Sequence, residues 1–203
     1  MADFECVMLA AGRSTRMDGW KMTLPWGEST IVEHSLRAAL DVCSRVVLVA
    51  GFRVEEIARI FRDWPRVEVV NNERYEEGMF SSVQMGVRSI GNGGFFLALG
   101  DMPGVSGDIY RTLLGWDRRL ASILGGTAHA VIPKYRGKKG HPLLLSPETK
   151  IRILDSEISR TLRDVLAEVP TIIVPVDDQG ILHDIDTPAD YQSLRNGVQG
   201  GSH

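Results

Sequence analysis

Residues 8–27 read MLAAGRSTRMDGWKMTLPWG, and they place a basic loop of small residues directly after an apolar strand. Gly12 can adopt backbone angles that are closed to other residues, and it leaves room for a ligand to approach the chain. Arg13, Arg16 and Lys21 add positive charge. An arginine guanidinium can form two parallel hydrogen bonds to a phosphate, whereas a lysine ammonium acts as a compact point charge. The stretch therefore indicates either a loop that grips a phosphate group or a solvated loop that carries basic residues.

Strands and helices alternate along the chain on both sides of this loop. Strands are predicted by apolar and β-branched runs, and helices by apolar residues at helical spacing. The predicted strands cover residues 4–10, 45–50, 67–70, 95–99, 130–132, 143–145 and 171–176. The predicted helices cover residues 31–42, 54–61, 81–90, part of 109–124, 147–154 and 161–166. Because parallel neighbours need crossover connections, this alternation predicts an α/β fold: a Rossmann-like three-layer α/β/α sandwich with a mainly parallel sheet.

Length and composition indicate one globular domain. The chain has 203 residues, of which 43% are hydrophobic and 24% charged, the ordinary balance of a folded protein. No Pro/Ser-rich linker, internal repeat or low-complexity tract divides it. We expect one domain at residues 1–196 and a flexible Gly-rich tail at residues 197–203.

Charge and missing motifs exclude several functional classes. A net charge of −3 argues against non-specific nucleic-acid binding, and no apolar run approaches the ~20 residues of a membrane span. Cys6 and Cys43 lack metal-ligand spacing and are expected to be small buried residues in a reducing compartment, so a cytoplasmic location is expected. No signal peptide is expected at the start of the chain. The sequence also lacks a Walker-type phosphate loop, a dinucleotide-binding glycine pattern, a serine-nucleophile elbow and paired zinc ligands.

A carboxylate is predicted at the same edge of the sheet as the basic loop. Ligands of open α/β sheets bind beyond the carboxyl ends of the strands. Gly100-Asp101-Met102-Pro103 follows the predicted strand at 95–99, so this loop and the first loop should open onto one crevice. Mg²⁺ is typically held by one or two carboxylates together with substrate phosphates. Asp101 is therefore either a metal ligand or a turn-forming residue.

The segment at 184–190 supplies a second carboxylate pair. Thr187 is predicted to cap a helix that begins at Pro188, with Asp190 in its first turn. This explanation covers neither Asp184 nor Asp186. Because side chains alternate along an extended segment, those two carboxylates are predicted to lie on one side of it.

Two further polar stretches have a functional and a structural interpretation. Asn71, Asn72, Gly78, Ser81 and Ser82 precede or begin a predicted helix; they can contact a base edge or ribose, or serve as loop and cap residues. The second stretch, a polar loop at 134–140 followed by His141, can contact the phosphate of an acceptor substrate or remain a solvated loop. It begins at Lys134 and adds the basic residues Arg136, Lys138 and Lys139.

Five ordered motifs give the chain a resemblance to the molybdenum-cofactor nucleotidyltransferases. The family pattern Leu-Ala-Ala-Gly-x-Ser-x-Arg-Met-Gly-x-x-Lys is matched by residues 9–21, and Gly-Met-x-x-Ser by residues 78–82. Gly-Asp-Met-Pro, Gly-His-Pro and Asp-x-Asp-Thr-Pro-x-Asp are matched by residues 100–103, 140–142 and 184–190. The Leu-Ala-Ala-Gly opening and Gly-His-Pro resemble the cytidylyl branch, because the guanylyl branch usually opens Leu-Ala-Gly-Gly.

This resemblance implies a Mg²⁺-dependent enzyme of the nucleotide-diphospho-sugar transferase type, with the catalytic domain at 1–196. Its reaction would transfer CMP from CTP to the terminal phosphate of molybdopterin and release pyrophosphate. A molybdenum hydroxylase apoenzyme is an implied partner. Other NTPs, other phosphorylated acceptors such as sugar or polyol phosphates, and a non-catalytic cofactor-binding protein remain alternatives.

The resemblance also implies roles for individual residues. Catalytic roles fall on Arg16, Lys21 and Asp101, metal binding on Asp101 and Asp186, and acceptor binding on Lys139 and His141. The implied nucleotide-binding residues are Leu9, Ala10, Ala11, Gly12, Arg13, Ser14, Arg16, Lys21, Asn71, Ser81, Ser82, Gly100 and Asp101. Asp18 departs from the pattern, which has glycine there, and it adds a carboxylate close to the expected triphosphate.

Overall fold

The apolar segments of the sequence pair into one mixed sheet of eight strands, and a short hairpin lies beside it. The computed structural model describes residues 4–17, 19–124 and 126–199. Asp18 is therefore not among the described residues. The strands are β1 (Glu5–Leu9), β2 (Pro25–Trp26), β3 (Ser29–Thr30), β4 (Arg45–Ala50), β5 (Val67–Asn71), β6 (Phe95–Leu99), β7 (Ala130–Tyr135), β8 (Lys138–Lys139), β9 (Leu143–Leu145) and β10 (Thr171–Pro175).

Helices connect the strands and cover both faces of the sheet. They are α1 (Ile31–Leu40), α2 (Val54–Ile60), α3 (Met79–Ser89), α4 (Gly107–Leu124), α5 (Pro147–Asp155), α6 (Leu162–Ala167) and α7 (Pro188–Gln199). Within the described ranges, no helix is both long and apolar enough to cross a bilayer. The helix that begins at Pro188 confirms the prediction for that segment; α7 continues to Gln199, and residues 200–203 of the expected tail lie outside the described residues.

Strand order puts β1 in the interior of the sheet, between β6 and β4. The order is β10-β7-β9-β6-β1-β4-β5, with β8 paired to β7 at the side. β1 runs parallel to both β4 and β6, whereas β9 runs antiparallel to β6 and β7. The chain moves outward from β1 through β4 to β5 and then returns to β6 on the other side of β1. Such a reversal is where open α/β sheets form their ligand crevice.

Alternation along the buried strands divides the core into two layers. Val7 and Leu97 face a cluster that includes α3 and α5, whereas Met8 and Phe96 face a cluster that includes α1 and α4. The three-layer α/β/α prediction is confirmed. Cys6 and Cys43 are free thiols in the second cluster and are fully or almost fully buried, so their interpretation as small core residues is confirmed as well.

The prediction of a polar loop at 134–140 is wrong, because this stretch forms a hairpin. β7 continues through Tyr135, and β8 returns along it with Lys139 paired to Lys134. Arg136 and Gly137 both have positive φ, at 43° and 88°. Positive φ at both central residues is the geometry of a tight two-residue hairpin turn, which matches the twist of the flanking strands. The basic residues therefore project from an ordered edge.

A second hairpin, β2–β3, ties the chain segment after the first loop to the last helix. Trp26 is buried against Ile31 and Ile185, and the hydroxyl of Tyr191 on α7 donates to the carbonyl of Pro25 at 2.6 Å. Each strand of this hairpin has only two residues, too few to show a period in the sequence. The contact fixes the segment that contains Asp184 and Asp186 against the start of α1.

Close packing of α3 on β1 predicts that adding one methyl group has opposite effects at two glycines. A Cβ at Gly86 would lie 2.3 Å from Cγ1 of Val7, whereas a Cβ at Gly115, on the exposed side of α4, would meet nothing within 4 Å. We expect Gly86→Ala to lower the free energy of unfolding by ~1–3 kcal/mol through overpacking. Gly115→Ala should raise it by ~0.5–1 kcal/mol through helix propensity. Denaturant titration of both variants checks the pair, and an unchanged or raised stability of Gly86→Ala would contradict the packing argument.

Candidate active site

The loop after β1 lines the crevice and contains backbone N–H groups that have no hydrogen-bond acceptor among the described residues. Trp20 anchors it, because its buried indole N–H donates to the carbonyl of Gly12 at 3.2 Å. Ser14 has a φ of 56° and its hydroxyl accepts from the Lys21 N–H at 3.3 Å. Within the described residues, the N–H groups of Gly12, Arg13 and Ser14 donate no hydrogen bond. A row of free N–H groups in a turn is a typical anion-binding concavity.

Lys21 joins this loop to two carboxylates from distant parts of the chain. Its ammonium lies 2.6 Å from Oδ2 of Asp101 and 2.8 Å from Oδ1 of Asp186. Arg16 contacts the other oxygen of Asp186 at 2.6 Å. Burial alone would lower the pKa of Lys21, but the two carboxylates outweigh burial and raise that pKa above its usual value. The hydrogen bond from Lys21, together with the charge of Arg16, holds the pKa of Asp186 below its usual value.

Three carboxylates converge at this point. Asp101, Asp184 and Asp186 each offer an oxygen, and these oxygens all lie within 4.8 Å of one another. The segment is held in place by the Ile185 N–H, which donates to the Asp101 carbonyl at 2.9 Å. Partial burial, followed by the charges of Asp186 and Asp101, raises the pKa of Asp184.

The donor set of this cluster fits a hard divalent cation. Oδ1 of Asp101 is buried and has no hydrogen-bond partner among the described residues, which leaves one lone-pair site unused. Carboxylate oxygens are the ligands that Mg²⁺ and related cations prefer. Asp101 and Asp186 are the residues implied by the resemblance, and Asp184 adds a third oxygen that the assignment had left open.

These groups line one cleft of about 360 Å³ at the carboxyl ends of β1 and β6. Most of the residues expected to bind nucleotide or metal lie on its walls: Leu9, Ala10, Ala11, Gly12, Ser14, Arg16, Lys21, Ser82, Asp101 and Asp186. Four of the residues expected to bind nucleotide lie outside its lining, namely Arg13, Asn71, Ser81 and Gly100, and so do Lys139 and His141, which were expected to bind the acceptor. The walls also contain residues that were not singled out as nucleotide-binding, namely Thr15, Met22, Tyr75, Met79 and Leu99, together with Asp184.

Arg13 lies outside the lining of the cleft but contacts Tyr75, which is part of that lining. Its guanidinium pairs with Glu76, donates to the Tyr75 hydroxyl at 3.2 Å and lies 5.7 Å from the centre of the Tyr75 ring. The Tyr75 ring also packs on Gly51, where an added Cβ would come within 2.6 Å of a ring carbon. Tyr75 is therefore held on both sides. A lone tyrosine in a charged stretch gives no sequence signal for this position.

Asn72, rather than Asn71, organises the polar segment before α3. Asn72 is buried, and its amide nitrogen donates to the hydroxyls of Ser81 and Ser82, both at 2.9 Å. The Ser81 hydroxyl in turn donates to backbone carbonyls, which occupies it inside the protein. Asn71 is exposed at the end of β5. Of this set, Ser82 is the member whose side chain reaches the cleft.

Lys139 and His141 line a separate cleft of about 420 Å³ on the other side of β6. Burial lowers the pKa of His141, although a hydrogen bond to the Leu97 backbone and the charge of Asp184 act in the opposite direction. Nδ1 of His141 is buried and has no partner in the part of the chain that the structure describes. His141 therefore lies within electrostatic reach of the carboxylate cluster while it faces the second cleft.

Comparison with known proteins identifies relatives of the whole chain. Residues 6–173 match the family described as the MobA-like NTP transferase domain. The chain is 32% identical over 191 residues to the molybdenum cofactor cytidylyltransferase of Escherichia coli, covering 94% of this chain and 95% of the relative. It is 23% identical over 210 residues to a protein of Carboxydothermus hydrogenoformans named as a probable molybdenum cofactor guanylyltransferase, with 96% of each covered.

A solved structure has the same fold. A Mycobacterium tuberculosis protein, solved as a complex with manganese, superposes with a TM-score of 0.73 at 23% identity and covers 97% of this chain and all of its own. At this identity the likeness concerns the fold. It extends over the sheet and helices that carry the carboxylate cluster.

The contact between Lys21 and the carboxylates predicts competition between the lysine and a divalent cation. Two unit charges 4 Å apart interact by ~4 kcal/mol at an effective dielectric constant of ~20. A third of that energy, ~1.4 kcal/mol, corresponds to about a tenfold change in affinity. We expect Lys21→Met to bind Mn²⁺ at least ~10-fold more tightly than the wild type in the absence of nucleotide. Titration of free Mn²⁺ by electron paramagnetic resonance measures this. Lys150→Met is the matched control, because Lys150 contacts the carbonyls of Ile90 and Gly91. Unchanged or weaker binding in a folded Lys21→Met protein would rule out competition.

Proposed function

The chain belongs to the family of MobA-like NTP transferases, and on that basis we propose that it transfers CMP from CTP to the terminal phosphate of molybdopterin. The chain is a nucleotidyltransferase of molybdenum cofactor biosynthesis. The observation that carries the proposal is the meeting of Lys21, Asp101 and Asp186 beneath a loop with free N–H groups. This arrangement combines the groups that a triphosphate and its counter-ion require.

The reaction is an exchange of phosphoryl bonds that needs no nucleophile from the protein. An oxygen of the acceptor phosphate forms a bond to the α-phosphorus of CTP. The bond from that phosphorus to the oxygen bridging to the β-phosphate breaks, and its electrons leave with pyrophosphate. Positioning and electrostatic stabilisation account for most of the catalysis in such transfers. The absence of a nucleophile motif in the sequence is consistent with this chemistry.

Arg16, Lys21 and the loop N–H groups are proposed to hold the β- and γ-phosphates. Negative charge develops on pyrophosphate as it leaves, and preorganised donors stabilise that charge. In the structure both basic side chains contact Asp186, so their charges already point toward the cleft. Arrival of a triphosphate would give Lys21 a second set of anionic oxygens beside its carboxylates.

Mg²⁺ is the proposed cofactor, held by Asp101 and Asp186 with Asp184 beside them. When bound, such an ion polarises a phosphoryl oxygen and neutralises charge on the phosphates. The convergence of the three carboxylates and the unpartnered oxygen of Asp101 fit this assignment. The manganese complex of the mycobacterial protein supports a divalent cation in this fold.

CTP is the proposed nucleotide, and GTP is the second candidate. The cytidylyltransferase of Escherichia coli shares 32% identity with the chain, against 23% for the probable guanylyltransferase. Ala11 lines the cleft at the position where the guanylyl pattern has glycine, so the loop itself follows the cytidylyl pattern. The product would then serve a molybdenum hydroxylase apoenzyme.

Loss of Asp101 should separate turnover from folding. We expect Asp101→Asn to lower kcat by on the order of 10²–10³, because a bound cation supplies several kcal/mol of charge stabilisation. Pyrophosphate release from CTP, Mg²⁺ and molybdopterin measures the effect. Asp108→Asn is the matched control, since Asp108 is an exposed residue of α4 paired with Arg111. Near-normal turnover by Asp101→Asn would show that the metal assignment is wrong.

Nucleotide choice is tested by comparing all four NTPs with the same acceptor. We expect kcat/KM for CTP to exceed that for GTP by at least ~10-fold, because a well-fitted base contributes more than ~1.4 kcal/mol of differential binding. A preference for GTP would replace the first candidate by the second. No pyrophosphate release with any NTP would overturn the proposed enzymatic function.

A further inference from the structure

Tyr75 forms a wall of the first cleft, and its position depends on contacts made outside that cleft. Among the residues that the structure describes, it is the one aromatic residue in the lining. Its N–H donates to the carbonyl of Asn72 at 3.2 Å, and its carbonyl accepts from the Gly78 N–H at 3.4 Å. The backbone is therefore anchored, whereas the side chain is only half-buried and needs further contacts to hold its orientation.

Arg13 supplies such contacts from the loop after β1. Its Nε donates to the Tyr75 hydroxyl at 3.2 Å, and its guanidinium pairs with Glu76, the next residue along the chain. These contacts join two segments that are 62 residues apart in sequence. On another side of the ring, Gly51 comes so close that an added Cβ would lie 2.6 Å from a ring carbon. Arg13 is thus engaged in holding the turn that carries Tyr75.

Strand order places Tyr75 and the carboxylate cluster on opposite sides of β1. Asp101 follows β6 on one side, whereas Gly51, on which the Tyr75 ring packs, follows β4 on the other side. The loop that contains the free N–H groups follows β1 itself and lies between them. A nucleotide with its phosphates at this loop and the carboxylates can extend its base toward Tyr75, the aromatic end of the same cleft. Bases stack on aromatic side chains, because every base has a π-face.

We propose that Arg13 is a positioning residue, which together with Glu76 holds the Tyr75 ring in the orientation on which the base of the donor nucleotide stacks. This inference rests on the proposed use of a nucleoside triphosphate. It gives Arg13 a different task from Arg16 and Lys21, which are proposed to hold the phosphates. The side chains of Arg13 and Glu76 are 53% and 61% exposed, and exposed ion pairs are weak. Loss of the pair should therefore change binding several-fold rather than abolish it.

Comparison of CTP with inorganic tripolyphosphate tests this role. The two ligands share a chain of three phosphates, so a lost phosphate contact weakens both, whereas a lost stacking surface weakens CTP alone. Calorimetric titration with Mg²⁺ present gives the ratio of the Kd of tripolyphosphate to the Kd of CTP. We expect Arg13→Met, Glu76→Gln and Tyr75→Phe each to lower this ratio by ~3- to 5-fold, as for an exposed pair. Tyr75→Leu removes the ring and should lower the ratio by at least ~10-fold.

Glu76→Gln separates a positioning role from a phosphate contact by the direction of the change. If Arg13 bound phosphate, removal of the neighbouring carboxylate would strengthen both ligands and leave the ratio unchanged. The double variant Arg13→Met/Glu76→Gln keeps the summed charge of the pair. It should lower the ratio no further than either single change does, because both changes act through one contact.

Arg74→Met and Glu77→Gln are the matched controls. Arg74 and Glu77 pair with each other at 2.6 Å, in the same turn, and line neither cleft. Both control variants should keep the ratio within ~2-fold of the wild type, as is usual for surface substitutions. Thermal unfolding of every variant establishes that the compared proteins are folded.

These binding data keep the inference separate from the proposed reaction. If no NTP yields pyrophosphate but the variants show the expected pattern, the proposed transfer fails and the positioning role stands. An unchanged ratio in folded Arg13→Met and Glu76→Gln proteins would overturn the positioning role, whatever the transfer assay shows. A wild type that binds CTP no more tightly than tripolyphosphate would overturn it as well, since the base would then make no favourable contact.

Discussion

The ion pair between Lys21 and the carboxylates of Asp101 and Asp186 is the contact on which the site depends. It joins the loop after β1, the loop after β6 and the segment before α7 at distances of 2.6 and 2.8 Å. A largely buried lysine is costly unless it is paired, and a buried pair leaves a strong penalty when one partner is removed. Each of the three segments therefore holds the other two in position.

The sheet makes this meeting possible through strand order. Because β1 and β6 are parallel neighbours, the loops that follow them emerge at the same edge. That much could be predicted from the sequence, since the runs at 45–50 and 95–99 are continuous apolar strands of a kind found in covered parallel sheets. The convergence of the basic loop and Asp101 followed from the topology, and Asp186 was recognised through its motif.

Other features depend on tertiary contacts that no local pattern reveals. Arg13 and Arg16 are arginines of the same loop. The side chain of Arg13 nevertheless lies outside the cleft, because it contacts Glu76 and Tyr75. Successive side chains point to opposite faces at the end of β5, so Asn72 is buried and Asn71 is exposed. A shift of one residue in register would exchange the two. Neither hairpin is revealed by the sequence pattern, because β2, β3 and β8 have two residues each, too few to display a period.

The contact between α7 and the β2–β3 hairpin has a consequence for the order in which parts of the site assemble during synthesis of the chain. The positive loop and Trp26 are synthesised early, whereas Ile185, Asp186 and Tyr191 come more than 150 residues later. Domains form as their chain emerges, at a few to ~20 residues per second. A nascent chain can therefore pair Lys21 with only one of its two carboxylates, Asp101, and leaves Trp26 without the cover of Ile185, until the segment before α7 has been synthesised.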